Sequence, residues 1–131
     1  MRERTSRTRI RPRPRPERIP LTFGQRRLWL QDRLDPGQVA YNSAWGMWLH
    51  GAANPVDLRR SLQSLVDRHE GLRTSFPSIG GEPFQRILPQ LELPWREVRA
   101  DGADADARRL DAVRLARADA CRSFDLENGP V

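Results

Sequence analysis

Hydrophobic positions along the chain fall into runs whose spacing switches from helical to extended and back. Order is expected from about Ile19. Thr22-Phe23-Gly24-Gln25 has the form of a capping box: the Thr22 hydroxyl can accept from the Gln25 amide while the Gln25 side chain reaches back. The helix that follows places Phe23, Leu30 and Leu34 on one face, with Leu28 and Trp29 widening it. Asp35-Pro36-Gly37 stops it. From Tyr41 to His50 the period falls to two. Tyr41, Ser43, Trp45, Met47 and Leu49 share one side, which predicts a strand ended by Gly51 and Asn54-Pro55.

A second helix starts there. Asn54 is a good N-cap, Pro55 suits the first helical position, and Asp57 lies three residues beyond the cap. Leu58, Leu62, Leu65, Val66 and Leu72 form its apolar stripe, and Gly71 is placed to end it. Thr74–Phe76 and Phe84–Ile87 flank Ile79-Gly80-Gly81-Glu82, which predicts a hairpin. Leu93–Arg99 reads as a short, proline-interrupted strand. A last helix is expected from Asp104 to about Arg122, with Leu110, Val113, Ala120, Cys121 and Phe124 on one face. Arg117 falls in the middle of that face, so either its stem snorkels or the buried stripe is narrower. The final turn residues before Val131 suggest a strand about to begin. The order helix, strand, helix, hairpin, strand, helix makes the fold class α+β.

Charge alters the picture only at the N-terminus. The chain of 131 residues carries a formal charge of +6, which by itself suggests a nucleic-acid binder. Residues 1–18 hold eight Arg and two Glu, which already gives +6; the other fifteen Arg and fifteen Asp or Glu cancel. The body from residue 19 to 131 therefore has no net field for a phosphate backbone. The alternating Arg and Pro of residues 1–18 cannot form a core, so a disordered, extended arm is expected. Polyanion binding through this arm is one alternative function, though nucleic acid is not the expected partner.

Chemistry-bearing residues are sparse. The single Cys121 allows no internal disulfide and no cysteine cluster for a metal. No apolar run reaches the length of a membrane span and the start lacks a signal-peptide core, so a cytoplasmic location is expected. His50 stands alone. His69 is the better candidate base, with Glu70 beside it, yet adjacent residues on a helix point about 100° apart. No nucleophile stands at a recognisable spacing from it, and two separated histidines make no metal site. Trp29, Trp45, Trp48 and Trp95 lack basic residues between them and read as core rather than as a base-stacking platform. From the residues alone this is an α+β domain without a complete active site.

Two segments resemble a known family. Thr22-Phe23-Gly24-Gln25-Arg26-Arg27-Leu28-Trp29-Leu30-Gln31 resembles the first core motif of nonribosomal peptide synthetase condensation domains, S-x-A-Q-x-R-[LM]-[WY]-x-L. Gln25, Arg27, Leu28 and Trp29 match; Thr22 and Gly24 depart conservatively, and Gln31 replaces a Leu. Arg68-His69-Glu70-Gly71-Leu72-Arg73-Thr74-Ser75-Phe76 matches the second, R-H-E-x-L-R-T-x-F, at every defined position. Asp35-Pro36-Gly37, Tyr41-Asn42, Gly81-Glu82-Pro83 and the closing Phe124-Asp125-Leu126 with Gly129-Pro130 also follow the family's order.

The resemblance implies an N-terminal part of a chloramphenicol acetyltransferase-like fold, in which two lobes enclose a tunnel. There a carrier-tethered donor thioester meets an acceptor amine and an amide forms. It implies no directly bound cofactor, substrates tethered to phosphopantetheine, and carrier domains and other synthetase modules as partners. The family's catalytic motif, His-His-x-x-x-Asp-Gly, is absent, so no residue inherits catalysis and the chain alone is expected to be inactive, with exposed apolar surface. Arg73, and as an alternative Arg68, is implied to pair with the aspartate of that motif. Gln25, Arg27, Trp29, His69, Glu70 and Thr74 are implied to support the architecture. A non-catalytic module that docks onto another part of a synthetase is the other alternative.

Overall fold

The computed structural model describes residues 14–129; residues 1–13, Pro130 and Val131, and with them most of the expected arm and the expected terminal strand, lie outside the described residues. Three helices and one small antiparallel sheet make up the fold: β1 (Ile19–Pro20), α1 (Phe23–Leu34), α2 (Pro55–Arg68), a 3-10 turn (Glu70–Arg73), β2 (Thr74–Ser75), β3 (Ser78–Ile79), β4 (Glu82–Ile87) and α3 (Ala105–Ala120).

α1 begins as its sequence requires. The Gln25 amide donates to Thr22 Oγ1 at 3.3 Å, and the Thr22 amide donates to Gln25 Oε1 at 2.8 Å, closing both halves of the box. α2 is capped by Asn54, whose Oδ1 accepts from the Val56 amide at 3.0 Å while its Nδ2 donates to Asp57 at 2.9 Å.

β4 is the centre of the sheet. β1 pairs with it at Ile19↔Gln85 and Pro20↔Phe84; β2 pairs at Thr74↔Ile87 and Ser75↔Arg86; β3 pairs at Ser78↔Pro83 and Ile79↔Glu82. β2 and β3 keep one register along β4 and are a single strand broken at Phe76-Pro77. Proline has no amide to donate, and the Phe76 amide leaves the ladder to bond the Leu126 carbonyl at 2.6 Å. The hairpin turn carries Gly80 at φ 61 and Gly81 at φ 84, the left-handed pair that a two-residue type I′ loop needs. The buried residues cluster around this hairpin: Val66, Thr74, Ser75, Pro77 and Pro83.

Four sequence expectations are corrected. Tyr41–His50 and Leu93–Arg99 are not strands. Each lacks a neighbouring strand to share hydrogen bonds among the described residues, and alternation without a partner does not make a ladder. Trp45 is consequently 92% exposed and Met47 78%. Gly71 does not end α2. The helix stops at Arg68 because Arg73 accepts from the Leu88 amide at 2.9 Å and Thr74 pairs with β4, so the chain must turn earlier. The tighter 3-10 turn, closed by Leu72 N to His69 O at 3.0 Å, makes that change of direction. Finally, α3 does not bury the expected face: Leu110, Cys121 and Phe124 are exposed, while Asp111, Ala112, Val113, Leu115 and Ala120 are half-buried. The narrower stripe is the observed outcome, and Arg117 lies outside it in solvent.

The total accessible surface is 11865 Å² for 15.1 kDa, against about 7,100 Å² for a compact chain of that mass. Large apolar side chains stand in the open, among them Phe23, Leu34, Trp45, Met47 and Leu110.

Candidate functional site

The end of α2 delivers Arg68 to Thr74 into the sheet. Arg68 is exposed in the last helical turn and makes no ion pair among the described residues. His69 caps the helix with extended backbone, φ −109 and ψ 102, and is exposed with no side-chain cap bond. It makes no hydrogen bond to Glu70, so the adjacent pair forms no base and orienting group. Glu70 turns instead to Arg15, which donates from Nη1 to Oε1 at 3.0 Å and from Nη2 to Oε2 at 2.7 Å. This fork, and then the Arg15 charge more weakly, hold the Glu70 carboxyl below its ordinary range.

Arg73 is the most enclosed charged residue of the stretch, its side chain only 14% exposed. Nη1 donates to the Leu88 carbonyl, Nη2 lies 4.0 Å from Glu70 Oε1, and Nε is buried with no acceptor among the described residues. A buried guanidinium N–H without a partner is rare and costly. Thr74 fixes the turn from below: its Oγ1 donates to the Glu70 carbonyl at 2.7 Å. Arg73, Glu70 and Thr74 are thus brought together; Arg68 and His69 stand outside the cluster.

The α1 residues form a second group. Gln25 is half-buried, and besides its capping role its Nε2 donates to Gln85 Oε1 at 3.4 Å. Gln85 in turn donates to the Pro20 carbonyl at 2.8 Å, tying β1, α1 and β4 together. Trp29 is half-buried with the Arg33 guanidinium 5.3 Å from its ring centroid. Arg27 is exposed; the neighbouring Gln31 side chain first and Arg27 second hold the Tyr41 phenol below its usual range. Among the described residues no hydrogen bond or ion pair joins this group to Arg68–Thr74. β4 connects them, receiving α1 through Gln85 and Glu82, which pairs with Arg26 at 2.9 Å, and receiving Thr74 through Ile87.

Three participants escaped the sequence reading. Arg15 sits 55 residues from Glu70 in a segment expected to be disordered. Gln85 has no signal beyond its place in a strand. Arg86 donates from Nε to Ser75 Oγ at 3.1 Å and from Nη2 to the Glu127 carbonyl at 2.9 Å, clamping the C-terminal turn to the sheet. That turn is internally organised by Asp125, which accepts from the Glu127 and Asn128 amides, both at 3.0 Å.

The chain matches the condensation domain family model over residues 16–131. It is 39% identical over 126 residues to one of the linear gramicidin synthase subunits of Brevibacillus parabrevis, covering 96% of this chain and 2% of that protein. It is 40% identical over 113 residues to phosphinothricin tripeptide synthetase PhsC of Streptomyces viridochromogenes, covering 86% of this chain and 10% of the other. A probable non-canonical nonribosomal peptide synthetase, CymA of Salinispora arenicola, is 46% identical over 120 residues, with 90% and 1% covered. Among solved structures, a mutant starter condensation domain of rhizomide synthetase RzmA in complex with C8-CoA superposes with a TM-score of 0.62 at 23% identity, covering 86% of this chain and 26% of that one. A second mutant of the same domain gives 0.64 at 21%, covering 88% and 27%. The chain therefore spans about a quarter of a solved condensation domain and a tenth or less of the synthetases it matches. No helix among the described residues is long and apolar enough to cross a membrane. With the fold, both core motifs and the family match in agreement, this chain belongs to the condensation domain family of nonribosomal peptide synthetases.

Proposed function

We propose that these residues are the scaffold of a condensation site that works only in a longer domain. In the complete domain an acceptor amine attacks the carbonyl carbon of a donor thioester tethered to phosphopantetheine on a carrier domain. The C–N bond forms, the C–S bond breaks, and the amine proton ends on the departing thiol. The histidine pair that would manage this proton is absent here. This chain's share is to hold the loop that carries it.

Arg73 is the residue for that task, and its unpartnered buried Nε is the observation that carries the reading. A guanidinium enclosed at the end of R-H-E-G-L-R-T, anchored to Leu88 and with a donor unused, suits a carboxylate supplied from elsewhere. Its role is to position the catalytic loop. Gln25, Trp29 and Thr74 hold the elements around it, and the carrier domains and other modules are the partners.

The test compares, with two loaded carriers, the complete domain, its Arg73→Gln and Arg73→Lys variants, and the 131-residue chain alone. Arg73→Gln should lower condensation about tenfold or more, the scale of a charged buried hydrogen bond, and Arg73→Lys should recover part of it. The chain alone should give no product. Turnover by the chain alone at a rate comparable with the complete domain sinks the proposal, as does a fully active Arg73→Gln.

A further inference from the structure

Glu70 stands between two guanidinium groups. Arg15 takes both of its oxygens in a fork, at 3.0 and 2.7 Å. Arg73, three residues along the same 3-10 turn, remains 4.0 Å from Oε1 and keeps its Nε free of any acceptor among the described residues. In a turn of three residues per repeat, positions i and i+3 lie on one side. Glu70 is the one carboxylate within 4.0 Å of the Arg73 guanidinium among the described residues, and is the acceptor it would take if Arg15 were removed. The bidentate fork is the strongest arrangement available to a carboxylate and an arginine, and here it turns both Glu70 oxygens towards Arg15.

We infer that Arg15 is a positioning residue: by occupying Glu70 it keeps the Arg73 guanidinium available to the acidic residue of the catalytic loop. The segment before β1 is then a working part of the site and not merely a leader to the fold. The inference rests on the role proposed for Arg73, and it adds a residue that neither core motif contains. Arg15 is 60% exposed and Glu70 41%, so the effect is that of a surface ion pair: real, modest and weakened by salt.

Two measurements test it. In the 131-residue chain, the Nε–H resonance of Arg73 is followed by NMR in Arg15→Gln, Glu70→Gln and the double variant. Arg15→Gln should shift that resonance and slow its exchange with water, as Glu70 closes on Arg73; the double variant should show neither change. An Arg73 signal that ignores Arg15→Gln overturns the inference while leaving the role of Arg73 intact. In the complete domain, Arg15→Gln should lower condensation about two- to fivefold, the range of an exposed ion pair. Arg15→Lys, which cannot fork, should fall between, and in a Glu70→Gln background Arg15→Gln should cause no further loss, the double variant turning over as Glu70→Gln alone does. An equal loss from Arg15→Gln with and without Glu70→Gln would mean that Arg15 only stabilises the fold, and would overturn the proposal. An Arg73→Gln domain as active as the parent removes the underlying reading instead, whatever the NMR response.

Discussion

Asn42 offers the sharpest check on how α3 is held. Its Nδ2 donates to the Ala120 carbonyl at 2.9 Å and to the Arg122 carbonyl at 2.7 Å, so one carboxamide satisfies two oxygens at the end of a helix with no buried residue. Carbonyls in the last turn have no partner within the helix. Replacing Asn42 with Ala removes both bonds, at about 1–2 kcal/mol for a half-exposed pair, or about 4–8 °C in melting temperature for a chain of this size. Asn42→Asp keeps the shape but puts a carboxylate against two carbonyl oxygens and the negative end of the helix dipole. It should therefore be worse than Ala at pH 7, by about 0.3–1 kcal/mol. The introduced carboxyl would be held above its unfolded value of about 3.9. Its protonated form is favoured in the folded state, so the deficit relative to Asn42→Ala is present at high pH and shrinks as pH falls through that raised value. Urea unfolding followed by far-ultraviolet circular dichroism, at pH 7 and pH 4, measures both. An Asn42→Asp protein as stable as Asn42→Ala at pH 7 would refute the assigned donors.

Thr22→Ala should loosen the first turn of α1, costing about 1 kcal/mol; Thr22→Ser should not, and amide exchange at Gln25 reports the difference. Gly81→Val demands a left-handed backbone at φ 84 of a β-branched residue, so it should cost about 1–2 kcal/mol or more in an unfolding titration, whereas Gly80→Asn at φ 61 should be nearly neutral. Glu70, Asp111 and Asp125 are all held below ordinary carboxyl values, Asp125 chiefly by Asn128 and Asp111 chiefly by the Asp101 amide. Their contribution is fully present above their ordinary values of 4.5 and 3.8 and is lost as pH falls through the depressed ones. Asp125→Asn should flatten the acid limb of stability plotted against pH, and an unchanged limb would contradict the assignment.

What the sequence disclosed follows the range of the interaction that fixes each element. The capping box, the Asn54 cap, the Gly80-Gly81 turn and the start of α3 at Asp104 each depend on residues within a few positions, and all are found where their residues imply. Tyr41–His50 and Leu93–Arg99 have strand patterns, but a strand is completed by a neighbour that no local pattern contains. The α3 face departs from its apolar pattern because polar ties from the loops, Asn42 to the Ala120 and Arg122 carbonyls, Arg96 to Asp119 and the Asp101 amide to Asp111, help to fasten that helix beside its narrow half-buried stripe. At the candidate site, the motif picks out the Arg68–Thr74 stretch where helix meets sheet. It carries no sign that His69 stays in solvent, that Leu88 anchors Arg73, or that Glu70 belongs to Arg15.

The central position of β4 has a consequence for synthesis on the ribosome. Pro20 receives its bond from Gln85, 65 residues later, and at about 5–20 residues per second β1 waits roughly 3 to 13 s for its partner to be made. During that interval nothing in the sheet restrains α1, and only its own first turn acts on it. The Thr22–Gln25 box is complete as soon as Gln25 emerges. It is suited to hold the nascent helix in register until Gln85 arrives to take the same glutamine side chain.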